Sequence, residues 1–407
     1  MALIVQKYGG SSLADADKIK NVAKRIASTK EKGNDVVAVV SAMGNTTDNL
    51  LRLAQQIHSE PDEREVDVLL STGEIISATL VAMALRSLWY DAVSLSGAQA
   101  GIFTDKIHRR ARISKIEPER ILKELKSGKI VIVAGFQGMT LEMDTTTLGR
   151  GGSDTTAVAL AIALHAGACH IYTDVEGVFT ADPRLVPDAV KINEIGYEEM
   201  LELASYGSKV MHNRAVELGE IYSMPILVAS SFTENPGTLI HGGIPMEIRN
   251  KVRGIAQDLN VAKITILGLP DKPGVAAQIF QALADADISV DTIVQNASVN
   301  NLADLTFTVT RTDLSKALRT IDPLAKKLKA RECKSDTNLG KVSIVGSGMQ
   351  NTPGYAAKMF TTLSAENINI QLITTAEIRI TCIIEEGMMN KAVQALHKAF
   401  ELDKTAA

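Results

Sequence analysis

Thr147-Leu-Gly-Arg-Gly-Gly-Ser-Asp154 sets three glycines, a cation, a hydroxyl and a carboxylate directly ahead of an apolar run. Ala157 to Leu164 is hydrophobic nearly all round, so it reads as a helix buried on most sides, with Ser153 or Asp154 at its N-cap. Such a helix start is a ready anion site. Gly149, Gly151 and Gly152 let the backbone come close to a ligand, the free N–H groups and the helix dipole favour negative charge, and Arg150 adds a forked donor for a carboxylate or phosphate. Taken alone, the stretch is equally an ordinary glycine-rich loop before a capped core helix, and the rest of the chain must decide.

Outward from it, residues 1–245 alternate short apolar runs with longer periodic segments. Leu3 to Lys7, Asp35 to Ser41, Ile130 to Gly135, His170 to Thr173 and Pro225 to Ala229 read as strands; Asp17 to Lys30, Thr46 to His58, Val66 to Leu88 and Pro118 to Ser127 read as helices. That rhythm predicts an α/β domain whose mostly parallel sheet is covered on both faces. Ligands of such sheets bind beyond the carboxyl ends of the strands, so the residues just after each strand are the candidates for a site.

After the first strand come Lys7-Tyr-Gly-Gly-Ser-Ser12, able to cradle phosphate with Gly9 and Gly10 amides while the ammonium neutralises charge. Neither a Walker A loop nor a dinucleotide fingerprint is present. The second strand delivers Ser41 and Thr47, with Asn45 and Asp48 as a capping pair. Glu74 interrupts an apolar helix and is expected to be buried, where a carboxylate needs a cationic partner such as a substrate ammonium. Thr173 and Asp174 end the next strand, ahead of a turn-rich loop closed by Asp182-Pro-Arg184, and Lys209 with Val210 stands at a further glycine-preceded helix start.

Composition limits the possible functions. The 407 residues suit two to four domains; a net charge of -4 and only 4% aromatic residues argue against nucleic acid as a partner. Cys169, Cys333 and Cys382 are widely spaced and form no metal-ligand pattern, which suits a reducing cytoplasm. No run of about 18 consecutive apolar residues occurs, so no membrane association is expected.

The order of these stretches carries more information than any one of them. Lys-Tyr-Gly-Gly-Ser-Ser at 7, Val-Ser-Ala-Met at 40, Ser-Thr-Gly-Glu at 71, Gly-Arg-Gly-Gly-Ser-Asp at 149, Tyr-Thr-Asp-Val-Glu-Gly-Val at 172, Thr-Ala-Asp-Pro-Arg at 180 and Gly-Ser-Lys-Val-Met-His at 207 together resemble the aspartate kinase family across essentially the whole chain. Ser11-Ser12 stands where that family usually has Thr-Ser. The resemblance implies the amino-acid kinase fold and transfer of the ATP γ-phosphoryl group to the side-chain carboxylate of L-aspartate, giving 4-phospho-L-aspartate, the first step toward lysine, threonine and methionine. It implies that Lys7, Tyr8, Gly9, Gly10, Thr173, Asp174, Phe179, Asp182, Arg184, Lys209 and Val210 bind the nucleotide, with Mg2+ held mainly by its phosphates. Ser41, Thr47, Glu74, Arg150, Gly151, Gly152, Ser153 and Asp154 would bind the substrate, with Arg150 on its α-carboxylate and Glu74 on its ammonium. Lys7, Asp154 and Lys209 would be the catalytic set, Asp154 orienting Lys7 and the magnesium.

Beyond a Pro/Gly-rich boundary, Ser230 to Gly254, an internal repeat appears. Asp271-Lys-Pro-Gly274 and Ile288 to Ile293 recur as Asn351-Thr-Pro-Gly354 and Ile368 to Ile373 at an offset of 80 residues. Each unit reads β-α-β-β-α, a ferredoxin-like pattern, and the pair resembles tandem ACT domains: 264–337, and 250–263 with 338–407. The resemblance implies that effector amino acids, lysine and/or threonine, bind at Asp271, Gly274, Val275, Ala276 and Gln295 in the first repeat and at Asn369 and Ile370 in the second, and that homo-oligomers form through the ACT domains. After the helix Asn390 to Phe400 only seven residues remain, too few for a turn and closing strand; Val252 to Asp258 is expected to fill that edge, which inserts the first repeat within the second. Two other readings are an amino-acid kinase for another acid or nucleotide, against which Glu74, Arg150 and the tandem repeat argue, and a non-catalytic sensor, against which Lys7, Asp154 and Lys209 argue.

Overall fold

A computed structural model describes residues 2–207, 210–243, 252–296, 300–349 and 352–404. Lys209, and Asn351 of the second repeat, lie outside the described residues. The chain divides into two units. The first runs to Phe179 and resumes at Lys191; the second takes Thr180–Val190 and the described residues from Val252 on.

In the first unit the elements are β1 (Leu3–Tyr8), α1 (Ala16–Glu31), β2 (Asp35–Val40), α2 (Thr46–Ile57), α3 (Glu63–Ser87), β3 (Ala92–Leu95), β4 (Ile102–Thr104), β5 (Ile113–Ile116) and α4 (Glu119–Lys126). They continue with β6 (Ile130–Ala134), β7 (Gln137–Met139), β8 (Thr145–Thr147), α5 (Gly152–Ala163), β9 (Ala168–Thr173), β10 (Glu194–Ile195), α6 (Tyr197–Ser205), α7 (Asn213–Ile221), β11 (Ile226–Ser230) and β12 (Thr238–Ile240). The main sheet has the order β10-β12-β11-β9-β1-β2-β6-β3, and every pairing in it is parallel except β11 with β12. Its central strands are apolar on both sides: Val36 to Val40 and Ile130 to Ala134 are fully or almost fully buried, as a doubly covered sheet requires.

Register aligns the carboxyl ends of five neighbouring strands. Ser230 stands beside Thr173, Tyr172 beside Tyr8, Tyr8 beside Val40, and Val40 beside Ala134. α3 is long and apolar enough to cross a bilayer by length and composition, although Glu74 breaks its apolar run. Its buried face packs on α1, β3 and β6 instead.

The second unit contains β13 (Gly254–Asp258), β14 (Ala262–Pro270), α8 (Val275–Asp285), β15 (Ile293–Gln295), β16 (Leu302–Val309), α9 (Leu314–Lys327), β17 (Glu332–Asp336), β18 (Leu339–Val345), α10 (Tyr355–Ala365), β19 (Ile370–Ala376), β20 (Arg379–Glu385) and α11 (Met389–Ala399). Two antiparallel sheets result, β15-β16-β14-β17 and β13-β18-β20-β19. β13 pairs with β18 as β17 pairs with β14, so the strand expected from Val252 to Asp258 occupies the open edge, beginning at Gly254. α8 and α9 bury Ile279, Leu283, Ala317 and Ile321 in the core of the first repeat, and α10 and α11 bury Met359, Leu363, Val393 and Leu396 in that of the second.

One segment departs from the expected division at 245. Thr180–Val190 lies between two stretches of the first unit in sequence but belongs to the second, because Ala181 and Val186 are buried in the α10/α11 core. Thr180 Oγ1 contacts His397 Nε2 at 2.9 Å, and Gln394 donates to the Leu185 carbonyl at 2.8 Å.

Candidate active site

At the aligned strand ends β1 breaks into a 3₁₀ turn, Gly10–Leu13. Gly10 is required there: a Cβ on it would stand 2.6 Å from the Ala42 carbonyl oxygen at the end of β2. Gly9 donates to the Tyr172 carbonyl at 3.2 Å, and Ser41 to that of Tyr8 at 3.1 Å, so these turns are locked to one another. Lys7 Nζ folds back over Gly9 and meets Asp154 Oδ1 at 2.6 Å. The approach lies outside hydrogen-bond geometry, which makes it a charge contact; both residues are less than a tenth exposed, so water screens it little.

Asp154 reaches this point from the first turn of α5. The expected cap at Ser153 or Asp154 is corrected: α5 begins at Gly152 and its N-cap is Gly151, at φ 69°. The left-handed turn starts the helix earlier than a side-chain cap would, which moves Ser153 and Asp154 into the buried first turn. Ser153 is tucked so closely under Gly135, at the end of β6, that a Cβ on that glycine would meet it at 2.9 Å. Asn45 does precede α2, but its side chain makes no cap bond. The next helix described after residue 207 is α7, from Asn213; the expectation for Lys209 falls outside the described residues.

Glu74, on α3, is 3% exposed. Its Oε1 accepts from Ala42 N at 3.1 Å, while Oε2 has no hydrogen-bond partner among the described residues. Burial lifts its carboxyl from the ordinary 4.5 to about 8. Arg150 is exposed and makes no hydrogen bond or ion pair among the described residues. Among those residues no group of three or more His, Cys, Asp or Glu could hold a metal ion by itself.

The remaining expected residues are spread over both units. Tyr8 is fully buried and stacks on Tyr172 with ring centroids 5.0 Å apart, so only its backbone is left for a ligand. Thr173 donates to Asp174 at 3.0 Å, and its carbonyl accepts from Ser231, at the end of β11. Thr47 is half-buried in the first turn of α2, and Val210 half-buried before α7. Phe179 bridges to Lys191, whereas Asp182 and Arg184, joined by an ion pair of 2.7 Å, belong to the second unit.

Three side chains at this site escaped sequence reasoning. Asp67 lies fully buried beneath Thr147. Arg214 donates to the carbonyls of Leu148 at 2.8 Å and Ala111 at 3.1 Å, holding the strand that leads into Gly149. The His212 ring presses on Gly151, where a Cβ would overlap it, and burial lowers its pKa. Asp67 alone had a visible signal, a carboxylate seven residues before Glu74 on one face of an apolar helix.

In the second unit a cavity of 360 Å³ is lined by Asp271, Gly274, Val275, Ala276 and Gln295 between Leu269 and Leu305. Asn369 and Ile370 lie at the start of β19, where Ile370 packs against the core of the second repeat.

The sequence matches the Amino acid kinase family over residues 2–230 and the ACT domain over 264–323 and 342–400. It is 50% identical to the aspartokinase of Corynebacterium efficiens, covering 99% of this chain and 97% of that protein, and 50% identical to that of Pseudomonas aeruginosa, covering 100% and 99%. Among solved structures, E. coli aspartokinase III in complex with aspartate and ADP in the R-state aligns over 98% of this chain and all of that one, at 25% identity and a TM-score of 0.82. The same enzyme with lysine and aspartate in the T-state gives 26% identity over 98% and 99% of the two chains, and a TM-score of 0.73. With the identity running the full length and the fold in agreement with it, this chain belongs to the aspartokinases of the amino acid kinase family, followed by tandem ACT domains.

Proposed function

We propose that the chain transfers the γ-phosphoryl group of ATP to the side-chain carboxylate of L-aspartate, giving 4-phospho-L-aspartate and opening the route to lysine, threonine and methionine. The observation that carries this is the buried Lys7–Asp154 pair at the strand ends, with no cation on the Glu74 carboxyl and no anion on Arg150 among the described residues. A small amino acid would set its carboxylate on Arg150 and its ammonium on Glu74, which it would draw into the ionised form.

Phosphoryl transfer between two anions asks for alignment and positive charge more than covalent help. The acceptor carboxylate is ionised at neutral pH, so no general base is needed, and Asp154 serves to hold Lys7 rather than to take a proton. Lys7, the Gly9 and Gly10 amides and the α5 N-terminus provide the positive field, with Lys209 as a further candidate on the phosphates and Thr173, Asp174 and Phe179 as candidates for the nucleotide. Magnesium fits as the counter-ion of the ATP phosphates and would neutralise charge during transfer, since the described residues offer no metal cluster of their own. The cavity beside Asp271 and Gln295 is proposed as the seat of feedback by lysine and/or threonine. Homo-oligomerisation through the ACT domains and a cytoplasmic location complete the proposal.

A coupled ADP-release assay with L-aspartate, repeated with glutamate, acetylglutamate, carbamate and uridylate, tests the reaction. ADP release is expected with aspartate, and Lys7→Ala is expected to lower turnover by on the order of 10²-fold, as loss of a preorganised charge does. No aspartate-dependent release, or turnover of the variant within a few-fold of the parent, defeats the assignment.

A further inference from the structure

α3 carries two buried carboxylates on one face, Asp67 at 0% and Glu74 at 3% exposure. The proposed reaction uses Glu74 and leaves Asp67 without a role. Asp67 is nonetheless the more elaborately satisfied of the two. Thr147 Oγ1 donates to its Oδ1 at 2.5 Å and Thr147 N to its Oδ2 at 3.0 Å. Arg109 N reaches both oxygens, at 3.1 and 3.0 Å, and His108 Nδ1 stands 2.9 Å from Oδ2. The Thr147 and Arg109 groups are donors, and the His108 nitrogen completes the set as one, so the site calls for a side chain that only accepts; an asparagine amide would set N–H against N–H.

These bonds converge on the strand that delivers Arg150. Thr147 ends β8, and its carbonyl accepts from Ala111 N at 2.9 Å. Leu148 is held by Arg214, and Gly149 rests against the Arg109 carbonyl. The chain is therefore fixed up to the residue before Arg150, and the fixed point is referred back to α3 through Asp67.

We propose that Asp67 is a positioning residue for substrate recognition: by clamping Thr147 it sets Arg150 at a fixed distance from Glu74, with α3 as the ruler between the group that takes the substrate ammonium and the one that takes its α-carboxylate. Seven helical residues separate the two carboxylates, about 10 Å along the axis. A long helix is a stiff spacer, so a substrate whose two charges are spaced differently loses one of the contacts. The inference rests on the assignment of Glu74 and Arg150 to aspartate.

Thr147→Val removes one hydroxyl donor while keeping the backbone bond and the side-chain shape. It is expected to raise KM for aspartate about tenfold, as loss of a hydrogen bond to a charged group does, with KM for ATP and kcat within twofold; Thr147→Ser restores the parent value. Arg150→Ala is expected to raise KM for aspartate on its own, and the double variant to raise it no further, because one substitution acts through the other. A Thr147→Val protein with a lower melting temperature and an unchanged KM for aspartate overturns the inference, as do additive effects in the double variant. If Arg150→Ala leaves KM unchanged, the assignment of Arg150 falls and takes this inference with it; if Arg150→Ala raises KM while Thr147→Val and Asp67→Asn do not, the inference alone falls.

Discussion

Glu74 is a buried carboxyl whose ionisation would be drawn out by a cation beside it. One oxygen is tied to the Ala42 amide and the other has no partner among the described residues, and burial lifts the carboxyl from 4.5 to about 8. Between the ordinary value of 4.5 and about 8 the folded chain retains a proton that the unfolded chain has released, so this group's contribution to stability falls as pH rises through that window. Pairing with a substrate ammonium requires the ionised form. KM for aspartate is therefore expected to rise as pH is lowered from about 8 to 6.5, by up to roughly tenfold per unit, and Glu74→Gln is expected to raise KM and flatten its pH dependence. Kinetics at several pH values check this, and a parent KM that stays level across the range rejects the pairing.

At the scale of elements, the decisive structure is the glycine turn that starts α5. Gly151 is left-handed and in contact with His212, so Gly151→Ala must strain the backbone and push the ring away together. Because Ser153 and Asp154 come directly after it, the strain is transmitted to the Lys7 pair, and a loss of activity of at least tenfold is expected even where the variant remains folded. Gly387→Ala is the control: its Cβ would meet nothing within 4 Å, and it should behave as the parent in the same assay. Equal activity of the two variants would show that the turn carries no such demand. The alternation of apolar runs and periodic segments made β1, β2, β6, β9 and β11 readable, with the helices α1 to α5, but not α6, which left no such signal. What the sequence hid was decided by tertiary contact. A left-handed glycine displaced the cap from Ser153 and Asp154, β4 and β5 are too short to leave a pattern, and Asp67, His212 and Arg214 act on chain segments remote in sequence.

Across the whole molecule, the two repeats place different side chains at corresponding positions. The two ACT repeats share an 80-residue offset and a four-stranded sheet, and the edge strand of the second, β13, comes from the chain ahead of the first. That Thr180–Val190 joins the second unit was not foreseeable, since its few apolar side chains find their core only once α10 and α11 are assembled. The repeats differ where the effector candidates lie. Val275 lines the cavity in the first, whereas its counterpart Tyr355 is stacked on Phe400 with centroids 6.3 Å apart. The Asp271 carboxylate and Gln295 amide offer the first repeat's cavity partners for the ammonium and carboxylate of an amino acid. Asp271→Ala is therefore expected to raise the concentration of lysine or threonine giving half-inhibition by at least tenfold, the loss of one charged contact, while uninhibited kcat stays within twofold. Titrating each amino acid alone and both together against the parent and the variant reads this directly. A variant inhibited as strongly as the parent would move the effector site away from the first repeat.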